Sequence, residues 1–211
     1  AVGVHATQFE IRDVGLYEPV LECAMDTATD WEPLGGARPL IMIAGLAGGT
    51  AQVVEEAKTA VSIGYHAGLL SLAAMKGSSD DELIAHCEAV AAEIPLVGFY
   101  LQPAVGGIHL SVDFWRRFAQ IENVIGVKTA PFNRYRTLDV IRGVVEAGAE
   151  GRVAVYTGND DHIVLDLLEP FTSLRDGEEV RVRIRGGLLG HWSVWTKKAV
   201  EQLGRIHAAV D

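Results

Sequence analysis

Strand-length apolar runs alternate with longer amphipathic stretches along this chain, and the alternation recurs from one end to the other. RPLIMIAGLAGG leads into TAQVVEEAKTAVSIG, where Thr50 reads as the helix N-cap and Gly64 as the C-cap. HAGLLSLAA leads into SSDDELIAHCEAVAAEI, with Ser79 as cap and Asp80, Asp81 and Glu82 at the positive end of the helix dipole. PLVGFYLQP precedes a helix near VDFWRRFAQIE, NVIGVKTA precedes RTLDVIRGVVEAG, GRVAVYTGN precedes DDHIVLDLLEPF, and RIRGGLLG precedes HWSVWTKKAVEQLGRIHAAV. A further unit opens the chain, AVGVHA with FEIRDVGLYEPVLECAMDT, although Pro19 would break the interior of that helix. TSLRDGEEVRVRIRG holds an Asp-Gly turn between alternating residues and predicts a hairpin insertion over about 172–185.

Successive βα units without a Gly-rich nucleotide turn after the first strand favour a closed barrel over a doubly wound sheet. The expected fold is an α/β, (β/α)8 TIM barrel that lacks its first βα unit, formed by residues 1–211 as a single domain. In such a barrel the C-terminal ends of the strands and the loops after them build the active site. Those positions hold His5, Thr7 and Gln8; Gly48, Gly49 and Thr50; Met75 and Lys76; Tyr100 and Gln102; Lys128 and Thr129; Thr157, Asn159, Asp160 and Asp161; and His191.

Charge and composition narrow the partners. A formal net charge of -10, with basic residues scattered apart from RVRIR at 181–185, opposes nucleic acid as a partner. No apolar run reaches the ~18 residues of a membrane span, so no membrane partner is expected. Cys23 and Cys87 lack metal-type spacing and sit in helical stretches, which suits a reducing cytoplasm.

Two strand-end residues are the least expected in their surroundings. Lys128 follows VIGV, so desolvation should lower its pKa and raise the neutral fraction that a Schiff-base lysine needs to attack a ketone. Tyr100 follows PLVGF on the preceding strand, where a phenol could relay protons during carbinolamine formation. A different reading assigns a metal site to Asp160, His162 and His191, with His5 and His109 as further histidines, although none shows HxH or HExxH spacing. AGLAGG reads as a tight turn, since no Lys-Ser/Thr follows its last Gly. Trp192 and Trp195 read as packing residues of the last helix.

PLVGFYLQP, NVIGVKTA and VYTGNDD together resemble the dihydrodipicolinate synthase and N-acetylneuraminate lyase superfamily of class I aldolases, and the longer wording GVKTAPFNRY and GGLLGHWSVWT resembles a divergent dihydrodipicolinate synthase-like branch. Tyr100 and Pro103 match that family's Tyr-Asn-x-Pro type motif, Gly126 and Lys128 its Gly-hydrophobic-Lys motif, and Gly158, Asn159 and Asp160 its Gly-Asp/Asn-Asp element. The resemblance implies an imine on Lys128 with no cofactor and no metal, Tyr100 as proton relay, and Thr7, Gly48, Gly49, Thr50, Gly158, Asn159 and Asp160 around the substrate. It also implies a homo-oligomer, dimer or tetramer. GVHATQFE stands where the family has Gly-Thr-Thr-Gly-Glu, and PAVGG lacks the Arg used for a dicarboxylic substrate. The expected activity is therefore that of a lyase, aldolase or dehydratase, on a 2-keto acid derived from a sugar. The alternatives are a metal-dependent barrel lyase or isomerase and a non-catalytic barrel that binds a small ligand.

Overall fold

The structure, a computed structural model, describes residues 1–4, 8–31 and 39–210. The chain divides into two compact units, Ala1–Gly98 and Phe99–Asp211.

In the first unit, α1 (Tyr17–Trp31) is followed by β1 (Ile43–Ala47), α2 (Thr50–Ile63), β2 (Ala67–Ser71), α3 (Asp80–Ala91) and the start of β3 (Leu96–Leu101). β1 and β2 pair in parallel from Ile43↔Ala67 to Ala47↔Ser71. All five residues of β2 are buried, as expected of a strand covered on both faces. Before β1 the chain contributes a single parallel bridge: the Val2 N–H donates to Ile43 O at 2.9 Å and the Gly45 N–H donates to Val2 O at 2.6 Å. A side chain at Gly45 would meet Val4 Cβ at 2.2 Å, which is why this approach needs glycine.

Two helix starts differ from the sequence-based expectation for physical reasons, whereas the Gly64 stop and the Ser79 cap stand where the sequence placed them. Phe9–Arg12 forms a 3-10 turn and α1 starts only at Tyr17, so Pro19 lies in the first helical turn, where no N–H has an intrahelical partner to lose. Gly49, with extended backbone, caps α2, and Thr50 is its first residue; Gly64 closes the helix at φ 104°. The Ser79 cap of α3 is a full capping box with Glu82.

The second unit carries the rest of β3, then α4 (Val112–Gln120), β4 (Val124–Ala130), α5 (Arg134–Glu146), β5 (Ala154–Thr157), α6 (Ile163–Leu168), β6 (Phe171–Arg175), β7 (Glu178–Val182), β8 (Ile184–Gly187), α7 (Gly190–Val194) and α8 (Thr196–Val210). Strand order here is β3-β4-β5-β8, with β4, β5 and β8 parallel and Lys128 opposite Tyr156. β6 and β7 form a separate antiparallel ribbon whose turn residues Asp176 (φ 54°) and Gly177 (φ 85°) give the mirror-image twist that two-residue hairpins require. The long terminal helix read from the sequence is two helices, broken at Trp195, whose backbone leaves the helical region at ψ 46°. Phe114, Trp115 and Phe118 of α4 are fully buried, and a second cluster joins Ile141, Val145, Val155, Leu167, Phe171 and Ile184. Arg152 donates to the carbonyls of Ala119, Ile121, Glu122 and Val124, which ties the last turn of α4 to the start of β4. Among the described residues no helix is long and apolar enough to cross a membrane.

Gly143 lets α5 approach α4: a Cβ there would lie 2.5 Å from Trp115 Cβ and 2.8 Å from the Arg116 nitrogen. Helix propensity alone favours Gly143→Ala by about 1 kcal/mol. The contact with Trp115 should reverse that sign, destabilising the protein by about 1–3 kcal/mol in urea denaturation; a stabilised variant would show that the two helices part without cost.

Candidate active site

Lys128 is the fifth residue of β4, near its C-terminal end, and only 5% exposed. Its Nζ lies 4.2 Å from the centroid of the Phe99 ring. That ring face attracts an ammonium, and the Asp160 carboxylate also favours the charged form, yet removal from water outweighs both and pulls the pKa from 10.5 down to about 8. At pH 7 roughly a tenth of such an amine is neutral, against fewer than about one in a thousand for a lysine in water.

The space around the amine is kept open by glycine. A Cβ on Gly158 would sit 2.7 Å from Lys128 Cε and 2.8 Å from Ala130 Cβ. Gly158 is tied to β4 by its N–H, which donates to Thr129 O at 2.7 Å, and Thr129 Oγ1 donates to Tyr156 O at 3.0 Å. Asp160 follows on the surface, where its Oδ1 accepts from the His191 N–H at 3.3 Å.

A buried carboxylate fixes this loop. Asp166 of α6 is 1% exposed; its Oδ2 accepts from Thr157 Oγ1 at 2.7 Å and Asn159 Nδ2 at 3.1 Å, and its Oδ1 accepts from Arg134 at 2.5 Å. Asn159 Oδ1 in turn accepts from the N–H of Phe132, held in the left-handed region at φ 52°. Arg134 also binds Glu169 and stacks on the Phe171 ring. The loops after β4 and β5 are thus one polar network, beside a cavity of about 380 Å³ lined in part by Phe132, Asn159, His162 and Asp166.

The structure brings Lys128, Gly158, Asn159 and Asp160 into neighbouring positions and turns Tyr100 away from them. Consecutive strand residues face opposite sides of a sheet, and Phe99 takes the side of Lys128. The Tyr100 ring packs 5.1 Å from Trp115 of α4, and its oxygen accepts from the Leu110 N–H at 3.4 Å. Burial raises its pKa and opposes ionisation. Gly48, Gly49 and Thr50 lie in the first unit, where β1 passes into α2; Gly48 has φ 134°, and Thr50 Oγ1 shares a 2.8 Å hydrogen bond with His86 Nδ1. Thr7 and His5 fall outside the described residues. His162 is engaged by Asp166 and Arg134, His191 packs against Trp195, and among the described residues no group of three or more His, Cys, Asp or Glu is placed to hold a metal ion. Phe99 and Asp166 were not picked out from the sequence. Period-two alternation around Tyr100 and the single acid inside IVLDLL were the available signals.

The model of the dihydrodipicolinate synthetase family matches residues 31–170. A curated 4-hydroxy-tetrahydrodipicolinate synthase of Kosmotoga olearia is 30% identical over 129 residues, which is 61% of this chain and 43% of that protein. The chloride-inhibited dihydrodipicolinate synthase of Acinetobacter baumannii, solved with pyruvate, superposes with a TM-score of 0.70 at 23% identity over 91% of this chain and 58% of that one. Dihydrodipicolinate synthase of Bacteroides thetaiotaomicron gives 0.68 at 16% identity, covering 93% and 62%. These likenesses show the (β/α)8-barrel fold, and the chain spans about half of the curated relative's length.

The depressed pKa of Lys128 carries a stability signature. The folded state binds this proton less tightly than the unfolded chain, so the cost of the buried charge is fully present below about pH 8 and disappears as pH rises towards 10.5. Lys128→Met should therefore exceed the wild type by about 2–3 kcal/mol at pH 7, with the margin shrinking between pH 8 and 10.5 in denaturant melts. A margin independent of pH would mean that the amine titrates as in water.

Proposed function

Since the chain belongs to the dihydrodipicolinate synthetase family, we propose that it is a class I aldolase-type lyase acting on a 2-keto acid through an imine on Lys128, and that the substrate is derived from a sugar. The observation that carries this reading is a buried amine at the end of β4 whose pKa lies near 8, in space that Gly158 leaves open. The pyruvate of the Acinetobacter baumannii complex is a 2-keto acid. The lone pair of neutral Nζ attacks the C2 carbonyl carbon, and the carbonyl electron pair moves to oxygen, which takes up a proton. Nζ loses one proton and the carbinolamine hydroxyl leaves as water, giving an iminium. The electron pair released when a bond at C3 breaks then flows into C=N⁺, and water later frees the product.

The proton relay is the step for which the geometry argues against the expected residue. Tyr100 has its phenol oxygen engaged by Leu110 and its ring against α4. We assign the transfer to Asp160, the carboxylate whose charge acts on Lys128 and which is exposed to solvent. Tyr100 then positions the β3 end instead of exchanging protons. Homo-oligomerisation belongs to the same reading, with the exposed apolar residues Val194 of α7, Trp195 at the break and Val200 of α8 as available surface.

Sodium borohydride reduction with pyruvate should leave a stable adduct confined to the Lys128 peptide and lost in Lys128→Ala. Gly158→Ala should slow trapping by about tenfold or more while the fold persists, because the new methyl displaces Lys128 Cε. Loss of trapping in Tyr100→Phe with full trapping in Asp160→Asn would return the relay to the phenol, and an adduct surviving in Lys128→Ala would sink the assignment.

A further inference from the structure

RVRIR at 181–185, the clustered basic run of the chain, takes no part in the site at Lys128. Its alternation sorts by face: Val180, Val182 and Ile184 join the core cluster, while Arg181, Arg183 and Arg185 stand on the other side. With Arg152 they line a recess of about 160 Å³ beside Val153, Ala154 and Val155. This is the N-terminal end of β5, two residues before the Tyr156 that faces Lys128, and β8 also begins here.

The charges in this recess are not balanced by the protein. The guanidinium of Arg152 donates to four backbone carbonyls and that of Arg183 to Leu168 O at 2.9 Å, neutral acceptors that leave each charge in place. Among the described residues no group takes up the guanidinium of Arg181 or Arg185. Glu150, the one carboxylate among the described residues of the lining, already accepts from Arg175 at 2.9 Å. Four arginines thus line one recess in a chain whose net charge is -10. Like charges gathered along one recess give it a positive potential that favours an anion.

We infer that the recess is an anion site for a phosphate group. The planar guanidinium fork matches phosphate oxygens in pairs. The volume, below the ~300 Å³ of sites that enclose a whole drug-sized ligand, fits a group and not a complete cofactor. The site lies at the strand ends opposite those that carry barrel chemistry and does not depend on the imine reading.

Free phosphate and a phosphorylated small molecule present the same chemistry, so both serve as probes. The whole chain is titrated with inorganic phosphate, glycerol 3-phosphate and sodium chloride at matched ionic strength, read by calorimetry and by the thermal midpoint. Saturable binding of phosphate, but not chloride, weakened at least about tenfold in Arg181→Gln/Arg185→Gln, is the expected result. Tighter binding of glycerol 3-phosphate would identify a phosphorylated small molecule as the source, and equal binding the free ion. Both replaced side chains are exposed, so the double variant should fold and should still trap pyruvate at Lys128. Chloride acting as well as phosphate, a double variant binding like wild type, or a short single-stranded oligonucleotide binding where phosphate does not would each overturn the assignment.

Discussion

The removal of one lysine amine from water governs the second unit of this protein. An isolated ammonium in an apolar interior is expensive, and proteins meet that cost by pairing the charge or by letting the proton go. Here the opposing groups are modest: one aromatic face and a carboxylate at the surface. The proton is accordingly held loosely, and the amine has a neutral fraction near pH 7 that a surface lysine lacks. The apolar run VIGV that carries Lys128 inward, the missing side chain at Gly158 and the ring of Phe99 all serve this one condition.

A loosely held proton is useful only if the surrounding atoms keep their places. The Asp166 carboxylate does for the loop after β5 what a cap does for a helix, meeting Thr157 and Asn159 with one oxygen and Arg134 with the other. Because Asn159 also holds the strained Phe132 backbone, the loops after β4 and β5 cannot shift independently. Buried networks of this sort are worth having only when every member is satisfied. The bonds around Asp166 and Asn159 meet that condition for the loop beside Lys128.

How much of this was legible in the sequence follows from the range of the forces involved. Alternating apolar runs and amphipathic stretches, the Ser79 capping box, the Gly64 stop and the Asp-Gly turn of the ribbon are local signals, and each appears where the pattern places it. Lys128 was legible because a charge after VIGV contradicts its surroundings. The facing of Tyr100 was not legible: two aromatics in a row face opposite ways, and which one faces Lys128 depends on register against neighbouring strands, a nonlocal fact. The start of α1 near Pro19 was misplaced, and that of α2 at Thr50 by one residue, because helix ends are set by backbone partners as well as by residue type. Asp166 could not be recognised as a hub, since its partners lie as far off as Arg134 in sequence.

The ribbon that precedes β8 separates two kinds of information on its two faces. Val180, Val182 and Ile184 commit one face to folding, whereas of the side chains between them Arg181 is exposed and Arg183 reaches the Leu168 carbonyl. Substitution among charged residues on the outer face therefore leaves the core unaltered. Relatives can diverge in what this surface attracts while inheriting the same fold, so the ribbon is a place where selection can act on recognition without a debt in stability.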